Sequence, residues 1–167
     1  GLLAGLYHKQ MTGEGCKVET SLAEAMVDIE FENFGAFLND GEKLTPRSRV
    51  NGANPCHSAP YGIYETQDGY LALAMTPVPE LGKLLGCEAI THYTKKSDWF
   101  DLRDEIKLAL REHLKTQTTA YWLSILEAAD IWCAQVYDWE QLLETEGFQV
   151  LDMLQTIDQG NGLRFET

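Results

Sequence analysis

The chain has 167 residues, 44% hydrophobic and 23% charged, which are globular values that exclude a disordered or fibrous protein. Its 13 Lys plus Arg face 26 Asp plus Glu, and the formal net charge of −13 repels nucleic acid and anionic lipid. No apolar run approaches the ~18 residues of a membrane span, and the start lacks the layout of a signal peptide. Cys16, Cys56, Cys87 and Cys133 are scattered without a CxxC pair, so free thiols and a cytoplasmic location are expected.

Leu2 and Leu6, then Leu3, Tyr7 and Met11, recur at helical spacing, yet no capping residue precedes them. The expectation is a helix that began earlier in a longer protein. It stops at Thr12-Gly13-Glu14-Gly15, and the alternating Cys16–Thr20 segment predicts a strand. Ser21 and Glu24 form a capping box for a helix with two apolar stripes. Leu22, Met26 and Ile29 make one stripe; Val27, Phe31, Phe34 and Leu38 make the other, as in a helix wedged between partners. Residues 39–60 are a polar connection longer than the ~15 residues of an ordinary loop.

Gly62–Thr66 and Tyr70–Ala74 flank Gln67-Asp68-Gly69, the strongest hairpin signal in the chain. After Pro77 and Pro79, Glu80–Leu85 predicts a short helix closed by Gly86. A longer helix from Ser97 or Asp98 places Trp99, Leu102, Ile106, Leu110 and Leu114 on its apolar face. Arg103, Asp104, Lys107 and Arg111 are expected mostly off that face. The next helix starts near Thr118, with Trp122, Ile125, Leu126 and Ala129 as its stripe. Cys133–Tyr137 predicts a strand, Trp139–Glu146 a helix and Val150–Ile157 a strand. A turn over residues 158–162 then leads back into Leu163-Arg164-Phe165. The class is mixed α/β, helices on a small sheet.

Few residues announce chemistry. Gly13-Glu14-Gly15 lacks the third glycine and the following helix of a dinucleotide fingerprint, and reads as a helix stop. Cys56 and His57 are neighbours, and neighbours in an extended segment point apart, which disfavours a thiol–base pair. His8, His57, His92 and His113 show no metal-ligand spacing, and no metal is expected. His8 and His113 read as solvated residues at helix ends. Glu24, Asp28, Glu30 and Glu32 read as a solvated helix flank. Trp99, Trp122, Trp132 and Trp139 read as core.

The blocks 1–9, 12–15 and 18–25 (GLLAGLYHK, TGEG and VETSLAEA) resemble the family III CoA-transferases. The resemblance continues through residues 59–69, 119–122 and 128–137, in family order, over nearly the whole chain. This family includes formyl-CoA transferase, carnitine CoA-transferase and α-methylacyl-CoA racemase. The resemblance implies residues 1–40 as the end of a large nucleotide-fold domain and 41–60 as a linker or active-site flap. It implies 61–157 as a small α/β domain and 158–167 as the return to the large one. Its nucleophile, an aspartate that becomes an aspartyl-CoA thioester, would fall before Gly1. No residue of this chain matches it, so the piece alone is expected to be inactive.

By the same resemblance Leu22 lies near the CoA, and the flap over the active site maps onto Asn51–Ser58. Asn51, Gly52, Asn54, His57 and Tyr61 complete the candidate cofactor-binding set. The implied partners are an acyl-CoA, a carboxylic acid and a second copy of the chain. Three departures stand out. The flap has one glycine, Trp132-Cys133-Ala134-Gln135-Val136 lacks the family's prolines, and Thr76 stands where the racemase branch has an acid. A racemase-type isomerase of acyl-CoA and a non-catalytic binding or assembly module remain as alternatives.

Overall fold

The computed structural model describes residues 1–41, 43–52, 54–160 and 162–167. Positions Glu42 and Ala53 of the predicted connection and Asn161 of the predicted turn lie outside the described residues. The chain divides into two compact units, Gly1–Arg47 and Ser48–Thr167.

The first unit holds α1 (Leu2–Thr12), α2 (Leu22–Ile29) and α3 (Phe31–Asn39). Gly13 ends α1 in the left-handed conformation that favours glycine, at φ 78°. Residues 16–18 lie against α1 because two small residues admit them: a Cβ on Gly5 would sit 2.9 Å from Val18 Cγ2. The predicted strand there is absent, for Cys16–Thr20 has no ladder partner among the described residues. Ser21 and Glu24 make the expected capping box. The helix behind it is broken, however. Glu30 leaves helical geometry (φ −89°, ψ 12°) and serves as both the end of α2 and the start of α3. Within α1, α2 and α3 no residue is buried, and both apolar stripes are exposed.

The second unit is built on the antiparallel sheet β1 (Gly62–Glu65), β2 (Tyr70–Leu73) and β3 (Cys133–Val136), in that order. The Asp-Gly hairpin sets the register Glu65↔Tyr70 and Gly62↔Leu73. One face buries Tyr64, Leu71 and Leu73 among Val78 and Leu81 of α4 (Val78–Leu85), Ile106, Leu110 and Leu114 of α6 (Arg103–Leu114), and Trp122 and Leu126 of α7 (Thr119–Ala128). Trp122 Nε1 donates to Leu114 O at 2.8 Å, so the buried indole leaves no orphan donor.

The predicted long helix is two, α5 (Asp98–Asp101) and α6, because the backbone turns out of helical geometry at exposed Leu102. Arg103 and Lys107, expected off the apolar face, are 8% and 1% exposed. The face is wider than the leucine stripe, because residues 103, 107, 110 and 114 also fall on one helical row. Ala129, expected in the α7 stripe, is exposed. His113 is half-buried rather than solvated: its Nε2 lies 2.8 Å from Leu85 O and its ring tilts against Trp122.

Past β3 the chain forms α8 (Trp139–Glu144), α9 (Glu146–Val150), β4 (Thr156–Asp158) and β5 (Arg164–Glu166). The strand expected over Val150–Ile157 begins only at Thr156, since Thr145 caps a helix that runs to Val150. Trp132 and Trp139, read from sequence as core, are 79% and 81% exposed.

Candidate functional site

Asn51, Gly52, Asn54, His57 and Tyr61 lie in one segment of the second unit that is fastened to its sheet and helices. Asn51 sits in the left-handed region (φ 48°), and its amide nitrogen donates to Ile63 O of β1. Gly62 makes that approach possible, because a Cβ there would collide with Asn51 O. Gly52 is equally constrained, with Ser48 O 2.8 Å from where its Cβ would stand.

Asn54 Oδ1 accepts from Cys56 N at 2.8 Å, closing a side-chain turn. The His57 ring stacks on Tyr61 with centroids 4.5 Å apart. Its Nδ1 is enclosed and has no hydrogen-bond partner among the described residues. No hydrogen bond joins Cys56 to His57 among the described residues, as their adjacency implies. Leu22 belongs to the other unit, where it is 87% exposed.

Tyr61 leads from this segment into a hollow of about 370 Å³ on the outer face of the sheet. Its floor is small. Register places Ala72 opposite both Ile63 and Ala134, and Ala74 follows two residues along the same face. Trp132 forms the far wall and separates it from a second hollow of about 360 Å³ at Met75, Thr76 and Pro77. Among the described residues no charged side chain lines the first hollow. Cys133 borders it, and burial followed by the charge of Glu127 pushes its thiol pKa up, which disfavours the reactive thiolate. An uncharged, small-floored trough can hold an apolar body and exclude water, but supplies no acid or base.

Sequence reasoning missed this trough. Its signal was present in the alternating alanines Ala72 and Ala74 and in Ala134 across the ladder. What hid it was the expectation that Trp132 belongs to the core.

The family model for CoA-transferase family III matches residues 1–167. The chain therefore belongs to CoA-transferase family III. It is 32% identical over 145 residues to CoA-transferase/lyase DddD of Marinomonas sp., covering 86% of this chain and 16% of that protein. It is 29% identical over 128 residues to succinyl-CoA:mesaconate CoA-transferase of Haloarcula hispanica, covering 77% of this chain and 30% of the relative.

Two solved structures share its fold. Rv3272 of Mycobacterium tuberculosis superposes with a TM-score of 0.68 at 19% identity, over 99% of this chain and 43% of that one. A CaiB/BaiF family protein of Brucella suis gives 0.65 at 19% identity, over 98% and 45%. The chain thus spans under a third of these curated relatives and under half of these structural neighbours.

Proposed function

We propose that this chain is the small-domain portion of an enzyme that moves CoA between carboxylic acids, acting as a homodimer. The observation that carries this reading is the family match over residues 1–167. The nucleophile is an aspartate outside this chain. Its carboxylate attacks the acyl-CoA thioester carbonyl, expels CoA thiolate and forms a mixed anhydride. The thiolate then attacks the aspartyl carbonyl, releasing the donor acid and leaving an aspartyl-CoA thioester. The acceptor carboxylate repeats these two steps in reverse and leaves as the new acyl-CoA.

This chain contributes surface rather than the nucleophile. Within the second unit Asn51, Gly52, Asn54, His57 and Tyr61 border the CoA thioester, and the stacked His57–Tyr61 pair shields it from water. With the Asn51 amide engaged by Ile63 O, the segment acts as a fixed wall more than a mobile flap.

The complete protein, given an acyl-CoA and a labelled acid, is expected to transfer CoA to the acid, and this chain alone to show no exchange. Acceptor-independent turnover, or exchange by the isolated chain above a no-protein control, overturns the reading. Replacing Asn54 and His57 together by alanine should raise hydrolysis relative to transfer. An unchanged ratio removes these two residues from the site.

A further inference from the structure

The segment carrying Asn54 and His57 starts on a single carboxylate that neither motif nor periodicity singles out. Asp104, in the first turn of α6, accepts from Ser48 Oγ at 2.7 Å and from Arg49 N at 3.1 Å, both on Oδ1. Ser48 Oγ also accepts from Val50 N at 3.3 Å and lies 2.7 Å from Val50 O, so its single proton is shared between that carbonyl and Asp104 while the hydroxyl folds the turn. Three residues after Ser48 comes the second anchor, Asn51 on Ile63 O. At the far end Ala59 N donates to Trp99 O at 2.8 Å, and Tyr64 OH donates to Pro60 O. The segment is therefore fastened at both ends, and among the described residues Asp104 is the charged group at these fixed points.

We propose that Asp104 is a positioning residue, a latch that holds residues 48–57 against α6 and β1 and so sets where Asn54 and His57 stand. Its charge is matched locally. Arg103 and Lys107 of the same helix are both buried and both act electrostatically on Asp104. The Ser48 hydroxyl, the Arg49 amide and these two cations hold its carboxyl below the usual carboxylate range, against the opposing effect of burial. A charge-assisted pair of bonds to one oxygen is the strong kind, and it spans more than fifty residues of sequence.

The anchoring stands without the reading of function given above; only its catalytic consequence rests on that reading. The test is hydrogen exchange by mass spectrometry on the complete protein and its Asp104→Ala, Asp104→Asn and Ser48→Ala variants. Asp104→Ala should speed exchange in residues 49–57 by roughly tenfold or more, while β1 and β2 keep their protection. Asp104→Asn keeps an acceptor oxygen in place and should restore part of the slow exchange. Ser48→Ala leaves the charges of α6 intact and keeps the test valid if Asp104→Ala fails to fold. Unchanged exchange over residues 49–57 in Ser48→Ala and in every Asp104 variant that folds overturns the latch. Faster exchange with an unaltered transfer-to-hydrolysis ratio keeps the latch and instead overturns the role given to Asn54 and His57.

Discussion

Leu22 opens α2 and Leu110 sits in α6, and both lie on apolar helical stripes, yet one is 87% exposed and the other 0%. In Gly1–Arg47 the stripes of α2 and α3 have nothing of their own unit to cover them. In Ser48–Thr167 the sheet and α4, α6 and α7 cover one another. Residues after β3 resemble the first unit more than their own, with Trp139, Val150 and Leu151 all exposed. Amphipathic pattern states that a face will be covered; it does not say by what. The chain spans under half of these structural neighbours, and within the first unit nothing covers those faces.

The contrast breaks most visibly in the core. Leu110→Ala should cost about 2–5 kcal/mol in denaturant unfolding of this chain, because the closed core cannot collapse around the lost atoms. Leu22→Ala should change stability by no more than about 0.5 kcal/mol, since nothing in its unit packs on it. Equal costs would mean that the two stripes are covered alike.

Glycines give the next largest difference. In α4 a Cβ on Gly82 would stand 2.7 Å from Ile90 Cγ1 and 3.0 Å from Cys87 O, so Gly82→Ala should destabilise by about 1–3 kcal/mol. In α3 a Cβ on Gly35 meets nothing within 4 Å, and Gly35→Ala should stabilise by about 0.5–1 kcal/mol through helix propensity. Opposite signs are the expected result of thermal melts on the two variants. Destabilisation by both would put α3 under tight packing, and stabilisation by both would mean that α4 has room at Gly82.

Asp68 supplies a pH-dependent effect confined to the second unit. Its carboxylate accepts from Thr119 N at 2.7 Å and Thr119 Oγ1 at 2.9 Å, tying the hairpin turn to the start of α7. The Thr119 amide first, then the Thr119 hydroxyl, lower its pKa below the usual 3.8. A carboxyl depressed on folding contributes stability that is complete above its unfolded pKa and is lost as pH falls through its folded one. Asp104 and Asp158 are shifted the same way, so Asp68→Asn should shallow the acid limb of stability without flattening it. An unaltered limb below about pH 4 would show that the turn carries no such linkage.

Asp68 also marks how far the sequence could be read. The hairpin was legible because Asp-Gly between two β-rich runs is a local signal, and the capping box at Ser21 is another. The attachment of Asp68 to Thr119 joins positions fifty-one residues apart, and nothing local encodes it. The burial of Arg103 and Lys107 was missed for the same reason, since charge alone placed them outside while the packing around α6 was not visible. The break at Glu30 escaped because the stripes run through it uninterrupted. Around the candidate site, the long polar connection carrying Asn51 to His57 was legible as a stretch of chain, but the contacts that fasten it were not. The trough beside them was not, because it arises where alanines of separate strands meet.

The smallest effect concerns thiol reactivity and leaves stability untouched. Cys16, Cys56, Cys87 and Cys133 are free thiols, exposed at Cys16 and buried at Cys87. Burial raises the Cys87 pKa, outweighing the amides of Ala89 and Ile90 that lower it. The thiolate is the reactive form, so Cys87 is disfavoured twice, by access and by ionisation. With an aromatic disulfide reagent at about pH 8, Cys16 should react first and Cys87 last, only as fast as its helices open. Cys133, half-buried and shifted upward by burial, should fall between them. In denaturant all four should react together. Mass mapping of the modified peptides orders the sites directly. Should Cys87 label as fast as Cys16, the second unit would open as freely as the first, and the difference in burial would carry no dynamic meaning.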